Sequence, residues 1–78
     1  MDLQKAEQLA NELIKQHCPE YTFRFDRAKL RFGRCSYGNK VISLSKTLVE
    51  LNTESEVKNT LLHEIAHALT RGCHHNQI

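Results

Sequence analysis

The sequence predicts an α+β domain: an N-terminal helix, a small three-stranded antiparallel sheet and a C-terminal helix. Two changes of hydrophobic period and one capping pattern carry that prediction. Leu3, Ala6, Leu9, Ala10, Leu13 and Ile14 recur every three or four residues; from Tyr21 phenylalanines alternate with polar residues; and Thr53-Glu54-Ser55-Glu56 opens a second helical run. A chain of 78 residues holds a single domain over residues 1–78 with one modest core, since at this size folding buries only about 60–65% of the unfolded surface. A bound metal is a common reinforcement for so small a core.

The first helix spans residues 2–17, its polar face filled by glutamine, lysine and glutamate, and Cys18-Pro19 stops it because proline cannot extend the hydrogen-bond ladder. Phe23 and Phe25 alternate with Thr22, Arg24 and Asp26, and Leu30 and Phe32 with Lys29 and Arg31, which predicts two short strands with aromatic residues turned inward. Tyr37-Gly38-Asn39-Lys40 reads as a turn, and Val41, Ile42 and Leu44 as the third strand. Ser45 to Leu51 reads as a short helix capped by Ser45. After the Thr-x-x-Glu box, Val57, Leu61, Leu62, Ile65, Ala68 and Leu69 mark one side of a helix reaching about Thr70, with Gly72 as its stop signal.

Composition narrows the class of protein. A hydrophobic fraction of 40% and a charged fraction of 26% belong to an ordinary folded domain, not to a disordered tail. No apolar run approaches the roughly 20 residues a membrane helix needs, and Met1-Asp2-Leu3-Gln4-Lys5 lacks the basic-then-apolar order of an export signal. Cys18, Cys35 and Cys73 are odd in number and contain no CxxC pair, which fits reduced thiols. The expected location is therefore cytoplasmic, or nuclear in a eukaryote, with no membrane partner. Net charge is +2, but it divides unevenly: −2 over residues 1–20, +6 over 24–46 and −2 over 47–78. The middle segment is where a polyanion would meet the chain first.

His63-Glu64-Ile65-Ala66-His67 forms the HExxH pattern within the last helix. Positions four apart on a helix differ by about 40° in direction, so His63 and His67 stack and can both reach one ion about 2.0–2.1 Å from each imidazole nitrogen. Glu64 falls one residue round, beside such an ion, where a carboxylate can take a proton from water. All three side chains are expected on the face away from the apolar stripe. A catalytic zinc needs a third protein ligand and an open position. Cys73, His74 and His75 are the candidates that follow Gly72.

Gly33-Arg34-Cys35, Ile42-Ser43-Leu44-Ser45 and Leu61-Leu62-His63-Glu64-Ile65-Ala66-His67-Ala68-Leu69, with a histidine soon after a glycine-containing loop, together resemble the SprT-like, or Spartan, family of zinc metalloproteases. The likeness covers residues 21–78, and the helix before them also fits. It implies a minimal zincin-like domain with Zn2+ on His63, His67 and His75, His74 being the fallback, and Glu64 as catalytic general base. In that family an aromatic residue follows the third histidine by four positions; from His75 that position falls after Ile78. This leaves open whether the 78 residues are a whole domain or a fragment of a longer chain. The implied activity is hydrolysis of peptide bonds, on DNA-associated proteins, with a protein or peptide as substrate. Arg24, Lys29 and Arg31, expected on one outward sheet face, are the candidate contacts to DNA. The competing reading is a zinc-stabilised nucleic-acid-binding module without hydrolytic activity.

Overall fold

The computed structural model describes residues 1–71. Elements follow in the order α1 (Leu3–His17), β1 (Thr22–Asp26), β2 (Gly33–Ser36), β3 (Val41–Ser45), α2 (Lys46–Leu51) and α3 (Glu54–Arg71). The domain is α+β as expected, with the helices packed on one face of a three-stranded sheet. No helix of the described residues is long and apolar enough to cross a membrane.

α1 buries Ala6, Ala10 and Ile14, one residue every turn, and the two alanines let its backbone lie close to α3 and β1. It closes where Cys18 donates its N–H to the Ile14 carbonyl at 2.8 Å; Pro19 follows outside the helix. The Cys18 side chain is buried. At the other end of the sheet, Ser45 both finishes β3 and caps α2, its Oγ accepting from the Leu48 N–H at 3.1 Å.

The sheet departs from the expected antiparallel arrangement. Its order is β1-β3-β2, with β3 antiparallel to β2 and parallel to β1. An up-down-up path gives only antiparallel neighbours when the strands lie in sequence order; placing the third strand in the middle makes the first and third parallel. The segment over 27–32 decides this. It carries the chain from one edge across the end of β3 to the other edge, and it is pinned there. Asp26 Oδ1 accepts from the Ala28 N–H at 3.0 Å, Ser45 Oγ donates to the Ala28 carbonyl, and the Ser45 N–H donates to the Phe32 carbonyl at 2.7 Å.

The expected second strand over Lys29–Phe32 is therefore loop, and the strand begins at Gly33. The alternation of Leu30 and Phe32 with cations was misleading because only Phe32 turns toward the core, while Leu30 is fully exposed. β2 itself offers only Gly33 and Cys35 to the inner face, too little apolar character to announce a strand.

Ile42 and Leu44 of β3 are completely buried under the helices together with Val49, Val57, Leu61, Ile65 and Ala68, and this is the core of the domain. Phe23 and Phe25 share that sheet face, their rings 4.9 Å apart and edge to face. The β2–β3 turn closes through Lys40 at φ 55°, a left-handed backbone conformation.

Candidate metal centre

α3 opens as the capping pattern requires. Thr53 Oγ1 accepts from the Glu56 N–H at 3.3 Å and the Thr53 carbonyl accepts from the Val57 N–H at 3.0 Å; Glu54 and Glu56 place negative charge in the first turn, where the helix dipole favours it. Along the helix, Val57, Leu61, Glu64, Ile65 and Ala68 are the buried residues. Their spacing of four, three, one and three is that of a single helical stripe. Glu64 thus stands in the middle of the buried stripe, not on the polar side expected from the motif.

His63 and His67 occupy the exposed flank of the same helix. Their Nε2 atoms are 3.1 Å apart and their rings meet edge to face with centroids 4.6 Å apart. Two nitrogens 3.1 Å apart, each about 2.0–2.1 Å from one zinc, subtend about 98° at the ion, close to a tetrahedral angle. The separation of the two nitrogens is compatible with one zinc ion held by both.

A close approach of backbone and side chain positions Glu64. Gly33 lies directly beneath it: a Cβ on Gly33 would stand 3.0 Å from Thr60 Cγ2, 3.1 Å from Glu64 Cγ and 3.2 Å from Glu64 Oε2. Glycine is what lets α3 and β2 come together here with the carboxylate between them. Glu64 as a residue is 9% exposed; its carboxylate oxygens keep contact with solvent and make no hydrogen bond or ion pair with another described residue. Cys35, two residues along the same strand, registers its charge. Burial first and then the Glu64 carboxylate push the Cys35 thiol up from its ordinary range, against a hydrogen bond with the Tyr21 side chain.

Gly33→Ala is expected to displace the Glu64 carboxylate by a few tenths of an ångström and to destabilise the fold by about 1–2 kcal/mol, the usual scale for overpacking. A thermal melt and the solution position of the Glu64 side chain check this; a variant with unchanged melting temperature and an unmoved carboxylate would show that the contact is slack.

Among the described residues there is no group of three metal-ligating side chains. Cys73, His74 and His75, which include the expected third ligand, lie outside the described residues. The candidate nucleic-acid contacts are not brought together as expected. Arg24 is on β1 and exposed, but Lys29 and Arg31 are in the connecting loop, and Arg31 is turned toward Asp26 at 3.6 Å. The partner of Arg24 on the outer sheet face is instead Arg34 of β2, since both are in register with Ser43. Arg34 was not expected on the sheet because the second strand was placed over Lys29–Phe32, and Gly33 was given no role beyond the family likeness although a signal existed: an acidic residue in the centre of an apolar helical stripe calls for a special neighbour.

The fold and site define a small α+β domain whose longest helix carries an HExxH pair against a three-stranded sheet. The chain belongs to the SprT-like family, whose description matches residues 3–77. Comparison with curated proteins gave no match.

Proposed function

We propose that this domain is a zinc-dependent metallopeptidase in which His63, His67 and His75 hold the metal and Glu64 is the general base. The observation that carries the reading is the pairing of two exposed imidazoles, Nε2 to Nε2 at 3.1 Å, with a largely buried glutamate beside them on the same helix. Membership of a family associated with proteolysis agrees with it. Zinc bound there supplies Lewis acidity toward a water molecule and a peptide carbonyl. Glu64 accepts the proton of the attacking water and afterwards delivers it to the leaving amine. The close approach at Gly33 leaves room for that carboxylate between α3 and β2, so the proton acceptor is placed before substrate arrives.

A non-hydrolytic zinc module fits less well. A closed structural site has no use for a buried acidic neighbour that is not a ligand, and burying a carboxylate without partners disfavours folding. The proposed substrate is a polypeptide. A link to DNA-associated substrates rests on a separate observation, the surplus of six positive charges over residues 24–46.

Metal analysis tests the ligand set. Purified protein should contain one zinc per chain, and His63→Ala or His67→Ala should remove it. His75→Ala should lose more zinc than His74→Ala. Equal zinc in those two variants, with loss only in Cys73→Ala, would overturn the assignment of His75.

A further inference from the structure

The face of the sheet opposite the helices holds a feature that peptide hydrolysis does not use. Arg24 on β1 and Arg34 on β2 are both in register with Ser43 on β3. Side chains alternate along a strand, so while Gly33 meets Glu64 on the inner face, Arg34 leaves from the outer one. The two arginines therefore stand on the same outer face, one from each edge strand, with Cα atoms about 9.6 Å apart, two strand spacings. Between them lies a concavity of about 220 Å³ lined by Arg24, Arg34, Ser36, Asn39, Val41 and Ser43.

Among the described residues no ion pair is seen for either arginine, whereas Arg31 of the neighbouring loop is paired with Asp26. Asp26 shares this face but is committed. It accepts from Ser43 Oγ at 3.0 Å and from the Ala28 N–H at 3.0 Å, and it faces Arg31. Ser43 spends its hydroxyl proton on Asp26, so the neutral donors at the rim are Ser36 and Asn39. Asn39 Nδ2 donates to Ser36 Oγ at 3.5 Å, which leaves the Ser36 hydroxyl proton and the second Asn39 N–H available. Two exposed cations on either side of the central strand repel only weakly at this separation, and an anion between them is attracted to both. Two guanidinium forks with a hydroxyl and an amide offer more donors than the two oxygens of a carboxylate absorb; three or four oxygens carrying one or two charges match them.

We propose that the outer sheet face binds a phosphate group between Arg24 and Arg34, with Ser36 and Asn39 completing its hydrogen bonds. The site is on the face opposite Glu64, so it neither depends on the peptidase reading nor tests it.

The test is an NMR titration of the 15N-labelled 78-residue protein at constant ionic strength, with inorganic phosphate in one arm and a short single-stranded oligodeoxythymidine in the other. Saturable shifts are expected at the Arg24 and Arg34 Nε–H groups and at the Val41 and Ser43 amides. Arg34→Gln should weaken binding at least tenfold, and Arg31→Gln, at an arginine already paired, less than twofold. Tighter binding of the oligonucleotide through the same resonances identifies a nucleic-acid backbone as the source of the phosphate; equal or tighter binding of inorganic phosphate identifies a free phosphate or monoester. Shifts reproduced by chloride, confined to His63 and His67, or persisting in the Arg24→Gln/Arg34→Gln double variant would overturn the proposal.

Discussion

Glu64→Gln is expected to lower peptide hydrolysis by a factor of about 10²–10⁴, the usual contribution of a positioned acid–base group, while zinc content and fold are retained. Glutamine has nearly the same shape, so it fits over Gly33 as the native side chain does. It also removes a charge from a residue that is only 9% exposed and has no hydrogen-bonding partner among the described residues, so the melting temperature should hold steady or rise. Turnover on a generic unfolded protein substrate, zinc stoichiometry and a thermal melt measured on one preparation decide the matter. Loss of zinc would make Glu64 a ligand, and unchanged turnover would remove it from the reaction.

Leu61→Ala is expected to destabilise the domain by about 2–5 kcal/mol, because a large side chain in a closed core leaves a cavity when truncated. Leu61 is completely buried among Ile42, Leu44, Val57 and Ile65, at the centre of the packing between α3 and the sheet. Domains of this kind are stable by only about 5–15 kcal/mol, so the variant should melt well below the parent. The next residue supplies the control. Leu62 is 39% exposed, and Leu62→Ala should fall near the ±0.5 kcal/mol typical of surface positions. Circular dichroism melts of the two variants side by side check the contrast; equal losses would mean that α3 is rotated from the position described.

That contrast also marks how far the sequence can be read. The apolar run of α3 placed Leu61 and Leu62 together on the core side, yet consecutive residues differ by about 100° around a helix, and the stripe centred on Leu61, Glu64, Ile65 and Ala68 leaves Leu62 at its edge. The stripe that buries Val57, Leu61, Ile65 and Ala68 carries Glu64 with it. Hydrophobic patterning alone assigns an acidic residue to the wet face, since burying a charge is costly. Here the chemistry proposed for the site gives that burial a use, and Gly33, 31 positions earlier in the chain, supplies the space for it.

By itself the sequence determined the elements whose causes are local. The 3.6-residue period fixed α1, Pro19 ended it, Ser45 and Thr53 capped α2 and α3 through their own hydroxyls, and the i, i+4 spacing paired His63 with His67. Only the tertiary structure decided what depends on contacts between distant segments. Strand order follows from a loop anchored by Asp26 and Ser45, which are distant in sequence and adjacent in space. That order turned an expected antiparallel sheet into a mixed one, moved Lys29 and Arg31 off the sheet, and set Arg34 across from Arg24. Alternation of apolar and polar residues says which way a side chain points from its own strand, but it carries no record of which strand lies alongside.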